Sequence, residues 1–99
     1  MTDVFAALAD PTRREVMELL AGGSTTATEI AAELPVTRQA VAKHLAVLQD
    51  AGLVHAQRSG RERRFSPTPA PLGDAISWMA AVGGAWDDRL RALDAYVRR

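Results

Sequence analysis

The chain has 99 residues, no cysteine, and twelve basic against twelve acidic side chains, which suits one domain with no separate effector domain. Missing thiols exclude disulfides, thiolate metal sites and cysteine nucleophiles, and no apolar run nears the ~18 residues of a membrane span. Apolar residues make up 47% but aromatics only 5%, so each helix buries little large apolar area, and pairing with a second copy would offset that deficit.

The first helix is expected from about Thr2 to Ala9, with Val4, Phe5 and Leu8 on one side. Its apolar stretch stops at Asp10-Pro11 with no basic region before it, so it does not read as a signal peptide, and a cytoplasmic location is expected. Asp10 is a good N-cap, and Pro11 at the first helical position loses nothing because that N–H has no intrahelical partner. The second helix runs to about Ala21, with Val16, Leu19 and Leu20 buried and Gly22-Gly23 stopping it. Thr26-Ala27-Thr28-Glu29 fits a capping box. The helix it opens is brief, with Ile30 and Leu34 as core residues, and ends before Pro35. Pro35-Val36-Thr37 forms the turn, and Thr37 caps a fourth helix reaching Ala51. Gly52 stands where a left-handed terminating residue is wanted, and Leu53 follows to make the accompanying apolar contact.

After Gly52 the pattern changes from helical to extended. Leu53–Arg58 and Arg61–Ser66 flank Ser59-Gly60 and predict a β-hairpin. Pro67, Pro69 and Pro71 then make a stiff linker. In the last segment Leu72, Ile76, Met79, Gly83, Trp86, Leu90, Leu93 and Val97 recur at alternating spacings of four and three. That is a heptad-like seam in which only Gly83 is not bulky. Gly83-Gly84 either kinks this helix or lets two backbones approach closely. The fold class that follows is mainly α with a small β-hairpin: a winged helix-turn-helix with a long C-terminal dimerisation helix. Residues 26–52 are the helix-turn-helix, 53–66 the wing, and 1–9 with 72–97 the dimerisation helices of a single 1–99 domain.

Charge is distributed unevenly. Residues 1–35 carry two basic and six acidic side chains, a net of −4. Residues 36–64 carry six basic (Arg38, Lys43, Arg58, Arg61, Arg63, Arg64) and two acidic (Asp50, Glu62), a net of +4. A neutral protein with a basic middle third offers phosphates a local field. The major groove of DNA accepts one α-helix, braced by the helix before it. On the fourth helix Val41, Leu45 and Leu48 form the inner stripe, and Gln39, Ala42, Lys43, Ala46 and Asp50 the outer face, with Arg38 beside it. Gln pairs bidentately with adenine, and Arg or Lys with guanine. Gln39 and Lys43 are therefore the candidate base readers, Arg38 serves bases or backbone, and Thr37 caps the helix and can touch phosphate.

Four arginines around a tight turn repel each other unless an anion gathers them, and phosphate or a narrow minor groove supplies one. Alternation along the strand puts Arg61 and Arg63 on one face with Phe65, and Glu62 and Arg64 on the other. Arg58 and Arg61, nearest the tip, are the firmer DNA candidates, and Arg63 and Arg64 complete the set. His44 either donates to a phosphate or packs and hydrogen-bonds locally. His55 reads as surface.

Catalysis lacks parts. Asp87 and Asp88 are adjacent on a helix and point about 100° apart. His44 and His55 have no carboxylate at metal-ligand spacing, and the glycines form no phosphate-binding loop. No cofactor is expected. Two other classes remain as alternatives: a winged helix that binds protein, and an architectural DNA binder, which would want a basic net charge.

Phe5-Ala6-Ala7-Leu8-Ala9-Asp10-Pro11-Thr12-Arg13-Arg14 with Val16-Met17-Glu18-Leu19-Leu20 resembles the opening signature of the ArsR/SmtB family of bacterial repressors. Thr37–Leu45 and Leu48–Val54 resemble its recognition helix and the start of its wing, and Gly60-Arg61 with Phe65 fits the wing itself. The resemblance spans essentially the whole chain. It implies a homodimer on an inverted-repeat promoter operator, with repression relieved by a signal, small molecule or protein, that the sequence does not identify. By position, Val4, Phe5, Leu8, Ile76, Met79, Trp86, Leu90 and Leu93 become dimer-interface candidates, with packing inside the protomer as the competing role. Trp78 and Trp86 either line a ligand pocket or pack as core. Metal-sensing members carry cysteines where this chain has Thr26 and Thr28, or Asp and His ligands along the last helix, which holds no histidine here. The resemblance is therefore to a metal-independent branch.

Overall fold

The computed structural model describes residues 2–97, and for Thr2 and Tyr96 the backbone alone. Met1, Arg98 and Arg99, the ends of the expected 1–99 domain, lie outside the described residues. The elements run α1 (Thr2–Leu8), α2 (Pro11–Ala21), β1 (Thr25–Thr26), α3 (Ala27–Glu33), α4 (Arg38–Asp50), β2 (Val54–Ser59), β3 (Glu62–Pro67) and α5 (Ala70–Val97).

Each helix starts and stops where its chemistry says it should. Asp10 is in extended conformation and its carboxylate accepts from the Arg13 backbone N–H at 2.9 Å, with Pro11 at the first helical position. Arg13 and Arg14 then reach back: Arg13 Nε donates to the Ala7 carbonyl at 2.6 Å, and Arg14 to the Leu8 carbonyl at 2.8 Å. Those carbonyls are the orphan acceptors at the end of α1, so a helix of seven residues is closed by cations from its neighbour. Thr26 and Glu29 make the reciprocal capping box that opens α3, and Thr37 accepts from Ala40 N–H at 3.1 Å to open α4. At the far end of α4, Leu53 N–H donates to the Leu48 carbonyl and Gly52 N–H to that of Gln49. This is the Schellman pattern, and it requires the positive φ of +77° that Gly52 adopts.

The strands depart from expectation in three ways. The hairpin turn is Gly60-Arg61, one residue later than Ser59-Gly60, because Ser59 pairs with Glu62. Glycine with φ +61° as the first of two loop residues matches a type II′ turn, which follows the natural strand twist. The sheet has three strands in the order β1-β3-β2, since Thr25-Thr26 pairs antiparallel with Phe65 and Arg64. The linker is also shorter than three prolines suggest: Ser66-Pro67 belongs to β3 and α5 begins at Ala70, which leaves only Thr68-Pro69 between them.

Val16, Leu20, Ile30, Val41, Leu45, Leu48 and Leu53 form the fully buried centre, with Val4, Val54, Phe65 and Ala75 around it. Leu19 and Leu34, expected as core, pack against it half-buried. This arrangement holds α3 behind α4 and sets the β2–β3 ribbon beside them. Helix α5 is different. Leu72 and Ala75 pack on the core and Trp78 meets Phe5 of α1 with ring centroids 5.6 Å apart. Beyond Ala75, every side chain described on α5 is exposed. The radius of gyration is 18.4 Å and the extents are 68 × 25 × 22 Å, against about 13 Å for a compact chain of this length. The excess is the free length of α5, which runs unbroken through Gly83-Gly84.

Candidate nucleic-acid interface

Helix α4 turns Val41, Leu45 and Leu48 into the core and leaves Arg38, Gln39, Ala42, Lys43, Ala46 and Asp50 exposed on the other side. The division follows from the 3.6-residue period, and it is the one the sequence predicts. Arg38, Gln39 and Lys43 are engaged by no hydrogen bond or ion pair within the described chain, so their donors are available to an outside partner. Ala42 and Ala46 keep the helix narrow between them. A groove of about 580 Å³ separates this face from the wing, with Arg38, Ala42, Ala46 and Gln49 on one bank and Arg61 and Arg63 on the other.

The six cations of the basic third divide into two groups. Arg38, Lys43, Arg58 and Arg61 are exposed and unpaired among the described residues. Arg63 lies over the Phe65 ring at 5.3 Å and donates weakly to Gln49 Oε1 at 3.4 Å. Arg64 donates to both oxygens of Ser24 and to Glu62. The strand alternation thus places Arg63 with Phe65 and Arg64 with Glu62, as expected, but both guanidiniums have partners inside the protein. Nothing local in the sequence announces the Ser24–Arg64 contact, which spans forty residues. Gln49 is a second residue that sequence reasoning passes over.

His44 is three-quarters or more covered, and its Nδ1 stands 4.0 Å from Asp10 Oδ2. This geometry fits the local packing role for His44. The hydrogen bond from Arg13, together with the positive charges of Arg13 and His44, holds the Asp10 carboxyl below the usual carboxylate range. Glu29 is held low as well, by hydrogen bonds from the Thr25 hydroxyl and the Thr26 N–H and by the charge of Arg64. His55 is exposed and pairs with the Thr68 hydroxyl at 2.8 Å.

Of the residues assigned to an interface between copies, Val4 is 5% exposed and belongs to the protomer's own core. Phe5 and Leu8 are half-buried against that core. Ile76, Met79, Trp86, Leu90 and Leu93 all stand open to solvent, as does Trp78 on its outer side. No three histidine, cysteine or acidic side chains among the described residues gather as metal ligands would. Among the described residues no helix is long and apolar enough to cross a membrane.

A capped helix with a free cationic and amide-bearing face, braced by α3 and flanked by a basic ribbon, defines a winged helix-turn-helix DNA-binding protein. Residues 8–57 match a family model described as a helix-turn-helix domain. The chain is 37% identical to the transcriptional repressor SdpR of Bacillus subtilis over 79 residues, 80% of this chain and 88% of that protein. It is 31% identical to a probable mercury resistance operon repressor of Streptomyces lividans over 94 residues, 95% of this chain and 73% of that one. Among solved structures, an ArsR-like transcriptional regulator from Rhodococcus sp. RHA1 superposes with a TM-score of 0.81 at 42% identity, covering 93% of this chain and 87% of its own. The chain belongs to the ArsR/SmtB family of helix-turn-helix transcriptional regulators. It is a DNA-binding regulator and not an enzyme.

Proposed function

We propose that the protein is a homodimeric, metal-independent repressor that binds an inverted-repeat operator and blocks transcription by occupying it. The carrying observation is the open face of α4, where Arg38, Gln39 and Lys43 lie exposed and unpaired among the described residues, beside the wing-tip cations Arg58 and Arg61. Gln39 and Lys43 read base edges in the major groove, Arg38 serves bases or backbone, and Thr37 contributes at the helix start. Arg58 and Arg61 meet phosphates of the flanking minor groove. The groove between α4 and the wing receives the sugar–phosphate strand that borders the major groove.

Dimerisation would use 72–97, with 1–9 beside it. Support for this reading comes from the apolar seam: of nine large hydrophobic side chains exposed among the described residues, eight lie on α5. A lone helix projecting into water with such a stripe is marginal, and a second copy of the stripe would cover it. Two-fold symmetry then sets two α4 helices in successive major grooves about 34–36 Å apart. The cytoplasm is the compartment where such a protein meets its operator.

Selection of duplexes from a random pool by the purified protein at near-physiological salt tests the proposal. Enrichment of a palindrome with half-sites about one helical turn apart is the expected result. A pool that stays random overturns sequence-specific repression; salt-sensitive binding would then indicate an architectural protein, and no binding a protein-interaction module.

A further inference from the structure

Arg64 stands opposite Thr26, where β3 pairs with β1. Its Nε donates to the Ser24 hydroxyl at 3.1 Å and its Nη2 to the Ser24 carbonyl at 2.8 Å. Its Nη1 donates to the Glu62 carboxylate at 3.0 Å, and Nη2 also lies 3.9 Å from Glu29 Oε2. All three guanidinium nitrogens are therefore engaged inside the chain, and the side chain is 29% exposed. Glu29 is itself the carboxylate that closes the α3 capping box and accepts from the Thr25 hydroxyl at 2.6 Å. One cation thus joins the wing's second strand to the residues that begin the first helix of the helix-turn-helix.

The mechanical need for such a joint is visible in the sheet. Among the described residues only Phe65 and Arg64 of β3 have partners on β1; beyond them residues 58–63 form a two-stranded ribbon. Two strands alone hold their shape poorly in water. The side chains of Arg58 and Arg61, at the tip of that ribbon, have no hydrogen bond or ion pair among the described residues to steady them. The angle at which they leave the body is set at its root. A planar guanidinium with several donors in fixed directions locks an angle in a way a single point charge does not.

We infer that Arg64 is a positioning residue for DNA binding: through Ser24 and Glu29 it fixes the wing against the start of α3, and it does not itself hold DNA. The inference rests on the reading that the wing tip meets phosphates. It gives the wing arginines Arg61 and Arg64 different roles, although both stand among the DNA candidates of the sequence.

Salt titration of binding to a labelled mixed-sequence duplex of about three helical turns separates the two roles, because each phosphate contact contributes to the slope of log affinity against log salt. Arg61→Ala should lower that slope by about one. Arg64→Ala should lower affinity about tenfold with the slope unchanged, and Arg64→Lys, which keeps the charge but not the fork, should do nearly the same. Ser24→Ala should lower affinity about threefold, and combined with Arg64→Ala it should add nothing further. In the free protein, amides of residues 58–63 should exchange faster in Arg64→Ala. If Arg64→Ala does not fold, Ser24→Ala and Arg64→Lys carry the test. A slope lowered by Arg64→Ala as by Arg61→Ala, with losses additive to Ser24→Ala, means that Arg64 holds phosphate and overturns the inference. Unchanged wing exchange or unchanged affinity overturns it also. Should Arg61→Ala leave both affinity and slope untouched, the wing reading beneath fails first; faster exchange in Arg64→Ala would then mark a purely structural clamp.

Discussion

Oδ2 of Asp10 lies 4.0 Å from Nδ1 of His44, so the carboxylate that caps α2 also faces the middle of α4. The Arg13 N–H donates to the same oxygen at 2.9 Å. The cap therefore does more than start a helix. It ties the α1–α2 corner to the helix that presents Gln39 and Lys43.

Loss of this carboxylate should be felt in stability and in its acid limit. The Asp10 carboxyl is held below its ordinary value in the folded protein. A lowered folded value means stability that is complete above the unfolded value, about 4, and lost as pH falls through the folded one. Asp10→Asn keeps a capping oxygen but not the charge. Its melting temperature should fall below that of the parent protein at neutral pH, and the two should converge in acid. Thermal melts from pH 7 to pH 3 check this, and parallel curves across that range would refute it.

Base reading and backbone binding should separate by residue. Gln39→Ala and Lys43→Ala should narrow the gap between a selected operator and unrelated DNA, each by about 1–3 kcal/mol. Arg58→Ala should weaken both duplexes alike. Competition titrations with the two duplexes at fixed salt measure the difference. An equal loss on both from Gln39→Ala would place that residue on the backbone.

Much of this architecture was legible because it is local. The Asp10-Pro11 start, the Thr26–Glu29 capping box, the Thr37 cap and the Gly52 stop are each specified within four residues, and the structure has all of them. The inner stripe Val41, Leu45 and Leu48 follows from helical period alone. What the sequence concealed is contact at long range. Strand β1 is only Thr25-Thr26, too short to register as a strand, and it exists because β3 passes beside it. Arg64 reads as one more wing cation until Ser24 appears next to it. Arg13 and Arg14 likewise gave no sign of their role, which is to close the end of α1 with their guanidiniums. The hairpin slipped by one residue because Ser59-Gly60 and Gly60-Arg61 both supply a glycine, and only the pairing of Ser59 with Glu62 decides between them.

The stop of α4 should depend on backbone conformation and not on space. Gly52 has φ +77°, and a Cβ there would sit 3.7 Å from Pro71 Cγ, an ordinary contact. Gly52→Ala should therefore destabilise by about 1 kcal/mol, the cost of the left-handed region for a residue with a Cβ. Gly52→Asn should lose less, since asparagine tolerates that region. Urea denaturation of the three proteins gives the order, and a Gly52→Ala as stable as its parent would contradict the assignment.

The middle of α5 offers a test of the dimer that the fold of a single chain cannot confound. A side chain placed at Gly83 meets nothing within 4 Å among the described residues of the protomer, and Trp86 is 59% exposed, with the Arg89 guanidinium 6.0 Å from its ring. In an isolated chain Gly83→Leu should be harmless or slightly helix-stabilising, because glycine is the poorer helix former by up to about 1 kcal/mol. Trp86→Ala should likewise cost the monomer little. If the seam from Ile76 to Val97 is where two copies meet, the outcome reverses. Gly83→Leu would then hold two backbones apart, and Trp86→Ala would remove a large aromatic from the shared surface, at a cost of about 2 kcal/mol or more. Both variants should shift the population toward monomer in sedimentation velocity while keeping their helical circular dichroism, and both should weaken DNA binding in proportion. Normal DNA affinity from a monomeric variant would show that α5 does not join the two recognition helices, and its apolar face would then need a different partner.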